Sequence, residues 1–227
     1  GMDRCVWGAE LEAGIEAQLP HLSQARKMAR FACLRARVRF TQNRSADAID
    51  DLLAVMAMAR HAGSDGLLIS LLVQYALEGP AVEILAEHLP ALDADVLEKL
   101  SQWSEDLPKA NTMSHAMLME KVLLLEWFIG RVSRPGGKEE MIGMLVVQAG
   151  NAEPAAQYKD ISQQEMVAGL IELRAVYDKL IEIVKLPPDD VDEAAENLIE
   201  KLELTGPAEM FASFLLPAIG KMRRSEA

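Results

Sequence analysis

The sequence predicts an all-α protein built of antiparallel helix hairpins. Half of its 227 residues are hydrophobic but only 5% are aromatic, a composition that suits close helix packing better than a β-sandwich. Apolar residues recur at three-and-four spacing, and groups of Gly, Pro and Asn separate the periodic segments. We therefore expect short turns to place consecutive helices side by side as a stack of hairpins.

The predicted fold begins with a short helix, followed by a hairpin of two longer helices. A short helix over 9–18 precedes Pro20, and a long helix follows over 21–43. The apolar stripe of this long helix consists of Ala25, Met28, Ala29, Ala32, Cys33, Ala36 and Phe40. Ser45 is placed to cap a helix over 45–62. The apolar side of that helix consists of Ile49, Leu52, Leu53, Met56 and Ala59. Because the connection is so short, the two helices must lie antiparallel.

Four more helices are predicted before residue 132. The almost wholly apolar segment 67–77 is expected to be a helix buried on all sides, and Gly79-Pro80 to open a separate helix that ends near residue 88. Asp93 is expected to cap a helix that ends near residue 106. The helix predicted over 113–131 carries Leu118, Val122, Leu125 and Ile129 on its core side.

The segment 133–137, Ser-Arg-Pro-Gly-Gly, is the best linker in the chain because it combines turn formers with a break in periodicity. Beyond it, 141–148 fits a helix or a strand, and we favour the helix. Ser162 and Glu165 form a capping box before a strongly periodic helix. The apolar positions of that helix are Met166, Leu170, Leu173, Tyr177, Leu180 and Val184. Two last helices are predicted, over 189–204 and from residue 205 onward.

The hairpin over 29–60 resembles tetratricopeptide repeats. The resemblance is carried by Ala36 in its first helix and by Ala48 and Leu52 in its second, whereas Arg39 stands where those repeats usually have an aromatic residue. An internal echo, LPHLSQARK at 19–27 and LPAIGKMRR at 216–224, is also typical of repeat proteins. The resemblance implies a right-handed solenoid.

On this interpretation the chain has a tetratricopeptide-like domain over 1–134. A C-terminal helical subdomain over 138–227 would pack on it. The alternative is one continuous domain.

Five short segments are similar to an uncharacterised family of bacterial all-helical proteins. They are Trp7-Gly8, Leu19-Pro20-His21-Leu22, Leu34-Arg35-Ala36-Arg37, Asp51-Leu52-Leu53 and Ala59-Arg60-His61. Members of that family often begin with an export signal. The resemblance therefore implies an exported or cell-envelope location if Gly1 replaces such a segment ahead of Met2, and a cytoplasmic location otherwise. It implies no activity and no functional residues.

Composition and motif content argue against several classes of function. The formal net charge of −12 disfavours binding to nucleic acid. No apolar run reaches the ~18 residues of a membrane span, because Ser70, Gln74 and Glu126 interrupt the two best candidates. Two cysteines and four histidines lack the spacing of a metal site, and no phosphate loop or nucleophile motif is present. We expect no nucleic-acid partner, membrane span, metal, cofactor or catalytic residue.

A basic stripe is the strongest candidate for a binding site. Arg26, Arg30, Arg37 and Arg44 project within about 40° of one another at ~100° per residue. Arginines in such an array could bind an acidic peptide, a phosphate or a lipid headgroup. The competing interpretation is that they pair with acidic helices of the same chain.

The leading functional hypothesis is a non-enzymatic helical-repeat scaffold that binds a protein or peptide on its concave side. One alternative is a hydrolase or small-ligand-binding enzyme that uses Glu78, Glu120 or Glu126 in an interhelical cleft, since carboxylates within apolar helices are candidates for a raised pKa. Another is a structural envelope protein, whose copies would associate through the apolar seam over 166–184. The oligomeric state is left open.

Overall fold

The computed structural model describes residues 7–149, 160–201 and 208, and throughout these residues the only regular structure is helical. The all-α prediction is thereby confirmed. The helices are α1 (Pro20–Thr41), α2 (Ser45–Ala62), α3 (Leu68–His88), α4 (Ala94–Glu105), α5 (Met113–Met119), α6 (Glu126–Val132), α7 (Gly137–Ala149), α8 (Gln163–Ile183) and α9 (Pro188–Lys201). Short 3-10 turns lie at Leu11–Glu16, Gly63–Asp65 and Leu89–Ala91, and a π-helical segment, Glu120–Leu125, connects α5 with α6.

The chain divides into two compact units. Among the described residues, unit 1 contains 7–10 and 17–112, and unit 2 contains 11–16 and the described residues from 113 onward. The proposed division into 1–134 and 138–227 stays a prediction. The helix predicted from residue 205, the second copy of the internal echo at 216–224, and Cys5 lie outside the described residues.

Unit 1 is built on the first three helices. Adjacent helices contact each other, α1 with α2 and α2 with α3, and α1 also contacts α3. The alanines at this centre, Ala36, Ala48 and Ala59, have no exposed surface. Because alanine side chains are small, the helix backbones can approach closely there. The predicted apolar face of α2 is buried throughout.

Two details at the α1–α2 hairpin differ from expectation. Met28 is exposed, because the buried stripe of α1 is centred about 100° away from it. Ser45 is the first residue of α2, and no side chain caps that helix. The reason is that Asn43 adopts a left-handed conformation (φ 57°), so the turn is tight and Arg44 occupies the N-cap position.

Helix α3 runs unbroken through Pro80, so the separate helix predicted from Gly79-Pro80 is wrong. A proline inside a helix removes one hydrogen bond but does not always end the helix. Here Leu77 and Ala81 are both buried, and this packing keeps the segment helical on either side of Pro80. The helix is also not buried on all sides, since Ile69 is about half exposed.

By length and composition, one helix in the described part of the chain could cross a membrane. It comprises α3 and the 3-10 turn after it, over Leu68–Ala91. Two of its polar residues, Ser70 and Gln74, are completely buried in unit 1. A core helix meets the same criterion, and the absence of a membrane span stays a prediction.

Unit 2 contains the longest departure from regular α-helix. Helix α5, the π-helical segment and α6 follow one another without a break, as the prediction of one helix over 113–131 requires. Leu118 and Val122, expected in the core, are instead exposed, whereas Met117 and Leu125 are buried. A π-helical turn contains more residues than an α-helical turn, so it rotates the residues around it away from α-helical phase.

Helix α8 is the central helix of unit 2 and contacts both α5 and α6. Its predicted capping box is confirmed: the Glu165 N–H donates to Ser162 Oγ at 3.1 Å, and the Ser162 N–H donates to Glu165 Oε2 at 2.7 Å. Its predicted apolar positions from Met166 to Leu180 are buried, and Val184 lies at the C-cap. The helix favoured over 141–148 is confirmed as part of α7.

The predicted first helix is only a 3-10 turn, Leu11–Glu16, interrupted at Gly14. Gly14 adopts φ 60°, and a Cβ atom there would lie 2.4 Å from the Trp127 ring. The glycine thus permits both the left-handed backbone and the close approach of the indole.

His21 is held beneath an aromatic ring in unit 1. The Trp7 indole stacks on it with ring centroids 4.8 Å apart and donates its N–H to the His61 carbonyl at 2.8 Å. The His21 Nε2 atom lies 3.8 Å from Asp65 Oδ2. Burial lowers the pKa of His21, and the negative charge of Asp65 partly opposes this effect. The His21 imidazole therefore binds a proton more weakly in the folded protein than in the unfolded chain.

This environment predicts a specific loss of stability in acid. A lowered folded-state pKa contributes stability that is present above the ordinary value of about 6.5 and is lost as the pH falls below it. Between pH 6.5 and 5 we expect the wild type to lose stability relative to His21→Phe, by at most about 1.4 kcal/mol per pH unit. Urea unfolding of both proteins at each pH measures this difference. A constant difference would contradict the expectation.

Candidate functional site

A groove of about 440 Å³ lies between α1 and α3 in unit 1. Both helices contribute to its walls. The residues from α1 are Arg26, Ala29, Arg30, Cys33, Leu34 and Arg37, and those from α3 are Ala76, Leu77, Pro80 and Ile84. The groove therefore combines three guanidinium groups with a mainly apolar lining.

The sequence of α1 explains why the arginines meet in this groove. Arg30 follows Arg26 by four residues and precedes Arg37 by seven, so the three share one edge of the helix, beside its buried stripe. Helix α1 contains six basic residues and no acidic residue, in a chain whose net charge is −12. The groove is thus a local concentration of positive charge on an acidic protein.

The arginines of the groove differ in their partners. Arg37 donates to Glu87 Oε2 at 3.1 Å, and both side chains are about half exposed. Arg26 and Arg30 are exposed and make no hydrogen bond or ion pair with any residue in the described part of the chain. Two guanidinium groups are therefore available to an external anion.

Arg44, the fourth arginine of the predicted stripe, does not line the groove. Its Nη2 atom lies 2.8 Å from the carboxylate of Asp47, in the turn that begins α2. The α1 helix ends at Thr41, so the helical spacing that placed Arg44 with the others does not extend to it. Pairing with the protein's own acidic residues is thus observed for Arg44 and Arg37, whereas Arg26 and Arg30 pair with no acidic residue in the described ranges.

Two further arginines of α1 bind a buried carboxylate that sequence reasoning missed. Asp51 is only 4% exposed, and its oxygens accept from Arg35 Nη2 at 2.6 Å and Arg35 Nε at 3.0 Å. Arg39 Nη1 lies 2.7 Å from the same carboxylate. A signal was present in the sequence: Asp51 follows Ala48 by three residues and precedes Val55 by four, so it belongs to the buried side of α2.

Among the described residues that line the groove, Cys33 carries a thiol. Burial raises the pKa of the Cys33 thiol, an effect that the positive charge of Arg37 partly opposes. A thiol with a raised pKa stays protonated and is a poor nucleophile. On the opposite wall Pro80 has no N–H to donate to the carbonyl of Ala76, so this carbonyl lacks its usual helical donor. The groove offers cations and apolar surface.

A row of exposed apolar side chains runs along α1 beside the groove. Phe31 is 75% exposed, and its neighbours in the row are also largely in solvent. The row consists of Met28, Phe31, Leu34 and Val38. Sequence reasoning placed Met28 in the core and missed the row. The signal that could have revealed it is the second set of apolar residues on a helix that already has a complete core stripe.

The three carboxylates considered as catalytic candidates lie outside the groove. Glu78, in unit 1, accepts from Arg60 Nε at 3.1 Å, and Glu126, in unit 2, binds Arg174 through both oxygens at 2.7 Å. Glu120 lies near the buried Tyr177 hydroxyl, whose pKa is raised mainly by burial and further by this negative charge. The enzyme alternative stays a prediction.

A second cavity, about 620 Å³, lies at the start of α8 in unit 2. Its polar groups are used within the fold: Ser162 caps α8, and the Gln163 side chain donates to the carbonyls of Val132 and Arg134 at 2.7 and 3.0 Å. None of the described residues that line it carries a charged side chain. Among the described residues, no group of three or more His, Cys, Asp and Glu side chains could hold a metal ion.

The seam proposed to join copies of an envelope protein is buried inside unit 2. Leu170, Leu173 and Leu180 are at most 2% exposed in the single chain. They pack within their own unit. The envelope alternative itself stays a prediction.

Comparison of the chain with protein families, curated proteins and solved structures found no match. The similarity to a bacterial helical family thus stays a prediction, and what is established is an all-helical protein.

Proposed function

We propose that the protein is a non-enzymatic helical scaffold that binds an acidic peptide segment of a partner protein in the α1–α3 groove. One observation carries this proposal: Arg26 and Arg30 have no partner among the described residues, although the chain is rich in carboxylates. Guanidinium groups bind carboxylates through paired, charge-assisted hydrogen bonds. A peptide carboxylate is therefore the natural ligand for these two side chains.

The lining of the groove adds a preference for apolar residues next to the acidic ones. Leu77 and Ile84 are buried in its floor, and Leu34 stands exposed at its edge. An apolar side chain of a ligand placed against Leu34 would be removed from water together with the exposed surface of Leu34. The preferred segment thus has apolar side chains next to its acidic ones.

We also propose that the hairpins are stacked as a tetratricopeptide-like right-handed solenoid, with the groove on its concave side. The proposal is supported by the contacts of α1 with α2 and of α2 with α3. It is also supported by the complete burial of Ala36 and Ala48 at the positions that carry the resemblance.

A displayed library of random twelve-residue peptides tests the binding function. We expect panning on the wild type to enrich peptides that contain Asp or Glu next to apolar residues. Charge reversal in Arg26→Glu/Arg30→Glu should weaken a synthetic copy of an enriched peptide at least about tenfold, because two charge-assisted contacts become repulsive. Fluorescence anisotropy measures the affinity, and higher salt should lower it.

The matched control is Lys109→Glu/Lys179→Glu, which makes the same change in net charge at two exposed lysines outside the groove. It should bind the peptide almost as the wild type does. If both variants lost affinity equally, the groove would have no special role. If panning enriched no acidic peptide, the proposed function would be wrong.

A further inference from the structure

Helix α1 carries two apolar stripes, and only one of them faces the core of unit 1. The buried stripe consists of Leu22, Ala25, Ala29, Cys33, Ala36 and Phe40. The exposed one contains Phe31, Leu34 and Val38, all of which are at least 47% exposed. At ~100° per residue the centres of the two stripes are about 170° apart. The exposed stripe therefore lies on the far side of α1 from its own core.

The spacing of the exposed stripe is that of a coiled-coil seam. Phe31, Leu34 and Val38 are separated by three and four residues, so they occupy consecutive a, d and a positions of a heptad. The residues that flank such a seam are the e and g positions, where charged side chains select the partner. In α1 the g positions are Arg30 and Arg37, and the e positions are Met28 and Arg35.

We propose that this face of α1 binds an amphipathic helix of a partner protein, with apolar residues at its a and d positions and Asp or Glu at its e and g positions. The proposal rests on the proposed function, since Arg30 and Arg37 belong to the groove as well. It adds a helical segment of the partner that binds on the face of α1 next to the groove. A helix along α1 would put its apolar side on Phe31 and Val38 and its carboxylates beside the arginines.

Charge complementarity decides against a second copy of this chain pairing through the same face. Helix α1 contains no acidic residue, so two such stripes would bring arginines of both copies together. An acidic helix would instead bring carboxylates next to these arginines. It can pair with Arg30, which has no partner in the described part of the chain, and compete with Glu87 for Arg37.

The length of the stripe determines the size of the partner segment. In this register Met28 is at the e position before Phe31, so the seam and its flanking residues occupy 28–41, which span about 20 Å or two heptads before α1 ends at Thr41. A pairing of two heptads buries little surface, so we expect a Kd in the micromolar range, about 1–100 μM.

Two synthetic peptides of three heptads test the inference. The first has Leu at a and d and Glu at e and g, an arrangement whose like charges oppose pairing with itself. The second has the same composition in an order that gives no apolar stripe. We expect fluorescence anisotropy to show micromolar binding of the first peptide to the full chain, and at least about tenfold weaker binding of the second.

A variant outside the groove separates this inference from the proposed function. Phe31→Ser/Val38→Ser changes two exposed residues that do not line the groove, so the fold and the groove should be retained. It should lose at least about tenfold in affinity for the heptad peptide. It should keep its affinity for an acidic peptide selected on the groove. Val82→Ser/Leu97→Ser, which changes exposed apolar residues of α3 and α4, should match the wild type with both peptides.

Each contrary result has a distinct meaning. If the groove peptide bound and the heptad peptide bound no better than its shuffled form, the helical partner would be wrong and the groove function would stand. If neither peptide bound, both the helical partner and the groove function would be wrong. Vesicles of phosphatidylcholine and phosphatidylglycerol form a third arm. Binding to these vesicles that Phe31→Ser/Val38→Ser abolishes, without binding of the heptad peptide, would show that the stripe contacts a membrane surface instead.

Discussion

We expect Arg35→Met/Arg39→Met to destabilise the protein by about 3 kcal/mol. The double substitution removes both cations from the carboxylate of Asp51, which is only 4% exposed. Breaking a buried ion pair from one side leaves an uncompensated charge and costs about 3–5 kcal/mol. The lower end of this range applies because the Arg35 side chain is 62% exposed. Water can therefore reach part of the site once Arg35 is replaced. Urea unfolding followed by circular dichroism measures the change.

A third substitution identifies the cause. In Arg35→Met/Arg39→Met/Asp51→Leu the whole charged group is replaced by apolar side chains, and we expect most of the lost stability to return, because no charge is left buried. The control Arg26→Met/Arg30→Met, on the same helix but without ion-pair partners in the described residues, should change stability by less than about 0.5 kcal/mol. An equal loss in this control would assign the effect to α1 helix propensity rather than to Asp51.

Leu170→Ala is expected to destabilise unit 2 by about 2–5 kcal/mol. Leu170 lies in α8 with no exposed surface, so its truncation leaves a cavity between α8 and the helices that contact it. Its neighbour Ile171 provides the matched control, since it is in the same helix but 43% exposed. Ile171→Ala should cost less than about 1 kcal/mol. Similar losses for the two variants in urea unfolding would contradict the burial of the α8 stripe.

Local patterns predicted the helices well where the core stripe and the turn signals agreed. The bounds of α1 and α2 lie within two residues of those expected from the sequence, and the capping box of α8 forms with both of its hydrogen bonds. These features depend on residues three or four apart, so the sequence alone contains the necessary information.

The predictions failed where long-range packing overrides a local signal. Pro80 was expected to begin a helix, but buried residues on either side of it keep α3 continuous. Leu118 and Val122 were expected in the core, but the π-helical segment Glu120–Leu125 changes the phase of the helix there. Neither outcome can be derived from helical periodicity, because periodicity assumes a regular α-helix.

In the candidate site, too, some features follow from local sequence and others from long-range packing. That α1 is an amphipathic helix whose charged residues are all basic follows from the sequence, since charge and periodicity are properties of the chain. The packed helices were needed to show that Arg35 and Arg39 bind Asp51, that Arg44 binds Asp47, and that Arg26 and Arg30 line a groove with no partner among the described residues. The physical reason is that an ion pair forms only within about 4 Å, and packing of the helices determines which carboxylates come that close to each arginine.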